Sequence, residues 1–126
     1  MEAAGTWSAL IHVEGEVDMG SVGGIEIATR REAEKGAIAV IIDLSDCPFI
    51  DSSGIAVILR LQDELATRDI PMRLVLPATD PVRRRLIALA GLDRALAILE
   101  SEVDAVESLS GQGVPTLSVR RRELRL

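Results

Sequence analysis

The chain has 126 residues, 48% of them apolar and 27% charged, and its formal net charge is −6. This is the length and composition of one globular domain that buries its own core. The acidic balance argues against general nucleic-acid binding. Because there is neither an apolar run of about 18 residues nor a signal-peptide pattern, we expect a cytoplasmic protein that does not enter the membrane.

The chain opens with a β-type segment at residues 7–17, "WSALIHVEGEV", in which Gly15 predicts a turn or bulge. His12 lies in its apolar part, and we interpret it as a strand residue. It is the single histidine, as Cys47 is the single cysteine. These are too few for an internal disulfide or a zinc site, and a Ser-His-Asp hydrolase would need His12 as its base. We therefore expect no metal site, and we predict no catalytic residue and no cofactor.

Helices and strands then alternate along the chain. Helical spacing begins at Ile25 and continues to Lys35, and the continuous apolar run at residues 37–44, "AIAVIIDL", is typical of a strand buried on both faces. A helix that ends near Arg68 follows "SDCPFIDSS". Gln62 interrupts its apolar face, whose spacing is otherwise helical, with members Ile55, Ile58, Leu59 and Leu65.

Residues 72–77, "MRLVLP", predict a second buried strand, and "TDPVRRRLIALAGL" predicts a capped helix. Thr79 or Asp80 is its cap, Pro81 lies in its first turn, and Gly91 ends it.

A short strand at residues 95–99 and a helix at residues 101–109, opened by a serine, complete the pattern. Strands and helices that alternate at this spacing predict an α/β domain whose sheet is at least partly parallel.

Charge is unevenly distributed between the two parts of the chain. Residues 1–109 carry a net charge of −9, whereas residues 110–126 carry +3. The second segment has no helical face and is rich in glycine, proline and serine at its start. We interpret residues 110–126 as a flexible basic tail outside a domain of residues 1–109, a solvated end rather than a contact for an acidic partner. The arginines at residues 83–85 are interpreted as a solvated helix face.

The glycines of "GSVGG" at residues 20–24 suggest a phosphate-binding loop. No Gly-Lys-Ser/Thr follows them, however, and their spacing is not GxGxxG. We interpret them as a flexible turn.

The polar triplet of "FIDSSGIAVILRL" allows two interpretations. Asp51, Ser52 and Ser53 are all residue types that cap a helix, but one cap explains one of them. A phosphoryl group on a serine here would be tolerated by the helix N-terminus. It would add roughly −1.5 to −2 charges next to Asp51, Asp46 and Asp18, and this charge would weaken a protein interface. The residues alone leave the cap and the modified hydroxyl both open.

Four segments occur in the order and spacing of a STAS domain: "VEGEVD" (13–18), "IIDLSDCPFIDSSGIAVIL" (41–59), "RLVLPATDPVRRRLIALAGLD" (73–93) and "AILES" (97–101). Over about residues 7–109 the chain resembles the bacterial anti-sigma factor antagonist branch of that family. The resemblance implies an α/β fold with a small mixed sheet and helices packed mainly on one side. It also implies regulatory binding without catalysis.

When the family motif is placed on this sequence, the resemblance implies that Ser53 is phosphorylated. Asp51, Ser52 and Gly54 stand beside it as partner-binding positions, and Asp18 matches an acidic position near the phosphorylation site. The choice of Ser53 over Ser52 rests on the family motif.

The implied partner is an anti-sigma factor that is also a serine kinase, and a metal-dependent serine phosphatase reverses the modification. The unmodified antagonist binds the anti-sigma factor and frees the sigma factor, whereas the phosphorylated form is released. The resemblance thus implies partner switching in sigma-factor-dependent transcription, such as a stress response, by a monomer or weak dimer.

Two features differ from the family pattern. The glycines after "GEVD" should delay or loosen the first helix, and the basic segment lies outside the resemblance. One alternative is a STAS scaffold subunit of a larger signalling or lipid-transport complex. The other, a serine hydrolase that uses Ser53, has only His12 for a base.

Overall fold

The computed structural model describes residues 7–114 and 118–126. Their elements follow in the order β1 (Trp7–Glu14), α1 (Gly23–Glu34), β2 (Val40–Asp46), α2 (Ser52–Ala66), β3 (Met72–Val75), α3 (Pro81–Leu89), α4 (Leu92–Ala95), β4 (Ala97–Leu99), α5 (Glu102–Gly111) and β5 (Ser118–Arg125). In this part of the chain, no helix combines the length and apolar character needed to cross a membrane.

The five strands form one sheet in the order β4-β3-β2-β1-β5. The predicted α/β class is confirmed, but the expected mixed sheet is not: every pairing among the described strands is parallel. Each crossover between consecutive strands contains at least one helix, which returns the chain to the same end of the sheet and so makes the next strand parallel.

Helices cover both faces of this sheet, but unequally. On one face the larger core joins strands to α1–α4, and its fully buried side chains include Ile11, Ile25, Ile42, Ile58, Leu61 and Leu74. On the other face α5 covers a smaller cluster of Leu10, Ala39, Ile41, Val75, Ala105 and Leu109. The prediction of helices mainly on one side is confirmed. The continuous apolar run in β2 follows from this burial on both faces.

The structure contradicts the interpretation of residues 110–126 as a flexible tail. Their first two residues belong to α5, and residues 118–125 pair with β1 along its whole length. The arginines of β5 meet the acidic body of the domain: Arg122 Nε donates to Glu32 at 2.6 Å, and Arg121 pairs with Glu102. An edge strand made of ion-paired arginines lacks the apolar alternation by which strands are predicted.

The start of α1 also differs from expectation. The helix begins at Gly23, two residues before Ile25, so the glycines do not delay it. The preceding turn prepares it, because the Asp18 carboxylate accepts from the backbone N–H groups of Gly20 and Ser21 at 2.9 and 3.0 Å. This local hydrogen bonding starts the helix without a side-chain cap.

Candidate functional site

The polar triplet lies where α2 begins, at the carboxyl end of β2. Asp51 caps the helix: its Oδ1 accepts from the backbone N–H of Ser53 at 2.9 Å and of Gly54 at 3.2 Å. Ser52 is exposed and Ser53 is partly exposed. Within the described residues, neither serine hydroxyl makes a hydrogen bond with another residue. The cap therefore accounts for Asp51 alone and leaves both hydroxyls available for chemistry.

A second loop is joined to this one by backbone hydrogen bonds. The N–H of Val17 donates to the carbonyl of Phe49 at 2.8 Å, and the N–H of Asp51 donates to the carbonyl of Val17 at 3.0 Å. The segment that carries Asp18 thus lies beside the triplet. The Asp18 carboxylate itself is engaged in the turn that precedes α1.

Gly54 is buried where the two loops meet. A Cβ at this position would stand 2.6 Å from Val17 Cγ1 and 2.7 Å from Ile50 Cγ1. These distances are shorter than any tolerable carbon–carbon contact, so the close approach of the helix to the loops requires glycine.

Arg83 is a positioning residue that sequence reasoning missed. Its side chain is only 11% exposed, which contradicts its interpretation as part of a solvated face. Its guanidinium donates to the carbonyl of Leu44 at 2.6 Å and to that of Cys47, and it pairs with Asp80 at 2.6 Å. Arg83 thereby fixes the loop that leads from β2 to the triplet. The only signal for this role in the sequence is that Arg83 follows the helix cap by three residues. Such spacing is common on exposed helix faces, so it does not distinguish a buried arginine.

Apolar side chains surround the triplet at the surface. A groove of about 370 Å³ between α2 and α3 starts at Ser52 and is lined by Ile55, Ala56, Leu59, Leu86, Leu89 and Ala90. Leu89 is 76% exposed, and on the neighbouring loops Met19 is 82% and Phe49 47% exposed. Apolar surface concentrated around polar groups in this way is typical of a protein-docking site.

A separate charged cluster lies on the α5 face of the sheet, around the buried His12. The ring is held by two carboxylates, with Nδ1 2.6 Å from Glu123 Oε2 and Nε2 2.7 Å from Asp46 Oδ2. Burial disfavours the imidazolium, but the hydrogen bonds with Glu123 and Asp46 outweigh it and raise the pKa of His12 above its ordinary value. His12, Glu14 and Glu123 also have the donor atoms of a metal site. Nδ1 of His12 is hydrogen-bonded to Glu123, however, so a metal ion would have to displace the proton of that bond.

The raised pKa of His12 predicts how the stability of the fold depends on pH. The folded state favours the imidazolium, so this contribution to stability is full below about pH 6.5, the ordinary histidine pKa, and is lost as pH rises through the higher folded pKa. We expect His12→Gln to lower the unfolding midpoint most at acid pH, with a difference from wild type that shrinks on the alkaline side. Thermal unfolding of both proteins across this range measures it, and a difference independent of pH would contradict it.

Comparison with known proteins agrees with this architecture. The STAS domain family model matches residues 2–107. The anti-sigma-F factor antagonist RsfB of Mycobacterium tuberculosis H37Rv is 25% identical over 103 residues, which is 82% of each chain.

Two solved structures are similar in fold. The structure of the anti-sigma factor antagonist SpoIIAA in its unphosphorylated form is 21% identical with a TM-score of 0.64, and the match covers 84% of this chain and 93% of that one. The Bacillus cell fate determinant SpoIIAA in its phosphorylated form is 23% identical with a TM-score of 0.62, and the match covers 82% and 93%.

Proposed function

This chain belongs to the STAS domain family, and we propose that it is an anti-sigma factor antagonist. In this proposal the unmodified protein binds an anti-sigma factor with serine kinase activity in the cytoplasm and so frees a sigma factor. Phosphorylation of Ser53 releases the antagonist, and a serine phosphatase restores it. The similar protein RsfB is an anti-sigma-F factor antagonist, which supports this class of partner.

The proposal rests on the different roles of the residues in the triplet. Asp51 alone caps α2, through the backbone N–H groups of Ser53 and Gly54. The Ser53 hydroxyl has no hydrogen-bond partner among the described residues, so it has no structural task that phosphorylation would disturb. Modification at this position therefore leaves the fold intact and changes only the surface.

The physical effect of the phosphoryl group is electrostatic. It adds roughly −1.5 to −2 charges in the first turn of α2, next to the carboxylate of Asp51. The surface around it is apolar, with Phe49 and Leu89 exposed. A partner that buries this surface would have to remove water from the new charge or would be repelled by it. Each 1.4 kcal/mol of this cost weakens binding about tenfold.

Variants of Ser53 test the proposal in a pull-down from native lysate. We expect Ser53→Ala to retain an ATPase of the anti-sigma kinase type, and Ser53→Glu to lose at least about tenfold of it because a carboxylate supplies part of the phosphoryl charge. Both variants should fold, because the alanine leaves the backbone cap unchanged and an acidic residue is favoured in the first turn of a helix. Thermal unfolding checks this.

Ser52→Ala is the matched control, since it removes the adjacent hydroxyl from the same turn. If the kinase modifies Ser53→Ala as it modifies wild type, and Ser52→Ala is inert, the acceptor is Ser52. If all baits recover the same partners, the serines act only as surface residues and a STAS scaffold is the better assignment.

A further inference from the structure

A cavity of about 520 Å³ lies at the amino end of β3, the opposite end of the sheet from Ser53. It is enclosed by the second half of α2, the segment before β3, the start of β4 and the residues after α5. Its polar side chains include Gln62, Arg73 and Gln112, with Asp69 also in the lining.

Arg73 is a buried cation without a counter-ion in the described part of the chain. It is 9% exposed. Its guanidinium donates to the hydroxyl of Ser108 at 2.9 Å, to the carbonyl of Met72 at 2.9 Å and to the carboxamide of Gln112, all of them neutral acceptors. Burial lowers the pKa of Arg73, and no carboxylate of residues 7–114 or 118–126 offsets this effect. By contrast, the other arginine held deep against the domain, Arg83, pairs with a carboxylate.

Hydrogen bonds to Arg73 are also incomplete. A guanidinium has five N–H donors, and the three acceptors above leave two of them for a ligand. The carbonyls at the end of α5 lend a partial negative charge to this region, but they do not supply a formal one. A buried cation with spare donors beside an open cavity is a favourable site for an anion.

Gln62 also lines the cavity, and its amide NH₂ donates to the carbonyl of Ala95 at 3.2 Å. Its Oε1 is sealed from solvent, so a ligand in the cavity does not reach this atom. Recognition of a ligand therefore rests on Arg73.

We propose that this cavity binds a small inorganic oxyanion of the phosphate or sulfate type. Its anionic oxygens accept from the free N–H groups of Arg73. The site is independent of the serine switch, because it lies at the other end of the sheet.

Inorganic phosphate and sulfate are the two probes, because both are small tetrahedral oxyanions. Thermal unfolding is followed during titration with each anion, at an ionic strength held constant with chloride. We expect saturable stabilisation by both anions. No saturable stabilisation of the wild type by phosphate would overturn the proposal.

Four variants test the site. Arg73→Gln should abolish the phosphate effect, whereas Arg85→Gln, which removes an exposed arginine, should leave it unchanged. Equal losses in both would show general charge screening and overturn the proposal. If Arg73→Gln does not fold, Arg73→Lys decides: lysine keeps the positive charge but lacks the forked donors, so phosphate should bind about tenfold more weakly, and unchanged binding contradicts the assignment. Ser53→Glu should bind phosphate as wild type does, whatever its effect on the protein partner.

Discussion

Ending the chain after residue 117, which removes β5, is expected to destabilise the domain by about 3 kcal/mol or more. The truncation removes the charge-assisted hydrogen bond of Arg122 to Glu32 and leaves that carboxylate only Lys35, at 3.9 Å, a loss of about 1.5 kcal/mol. It also exposes the side of the core against which Leu124 packs, worth about 1.5 kcal/mol. His12 loses one of its two carboxylates. Urea denaturation followed by circular dichroism measures the change.

Two point variants on the same strand separate packing from chain length. Leu124→Asn should reproduce part of the loss, because Leu124 packs against the larger core. Val119→Asn should have little effect, because Val119 is 40% exposed. If the truncated protein unfolds at the same urea concentration as wild type, β5 contributes nothing to the folded state, and the flexible tail predicted from the sequence is the correct description.

The Gly54→Val variant is expected to cost about 3 kcal/mol, the upper range for overpacking a core. Its new side chain would overlap Val17 and Ile50, which a Cβ alone already approaches to 2.6–2.7 Å. Relief of that overlap requires α2 to move away from the two loops that present the serines. We therefore expect weaker partner binding as well as lower stability, measured by urea denaturation and by the pull-down used for Ser53.

Gly23→Val is the control for this substitution, because no atom of the described residues lies within 4 Å of a Cβ built on Gly23 and that residue also stands in the first turn of a helix. Its stability should remain within about 0.5 kcal/mol of wild type. Equal losses in the two variants would mean that helix propensity, and not the contact with Val17 and Ile50, decides the outcome.

The sequence predicted most of this fold because its signals are local. Continuous apolar runs marked β2 and β3, and Asp80 and Ser101 cap α3 and α5 as residues of their type do. Gly91 adopts a left-handed conformation, φ 78°, and ends the predicted helix by dividing it into α3 and α4. Each of these features depends on a residue and its immediate neighbours.

The features that the sequence did not predict share a different cause. β5 is held by acidic residues far away in the chain, such as Glu32 and Glu102, and no local pattern reveals such complementarity. Arg83 looks like any exposed helical arginine until the loop after β2 is seen to accept its hydrogen bonds. The position of the triplet was predictable from its motif. The contacts that hold the triplet in place were not predictable, because they come from residues distant in the sequence.

The position of β5 in the chain has a consequence for biosynthesis. β1 is the first of the described strands to leave the ribosome and β5 is the last, and the paired residues His12 and Glu123 are 111 positions apart. One edge of β1 therefore stays unpaired while the rest of the sheet assembles, which exposes the nascent chain to strand-to-strand aggregation. The arginines that make β5 hard to recognise as a strand also keep this segment soluble until it pairs with β1. Slow completion of folding would trace to this last pairing.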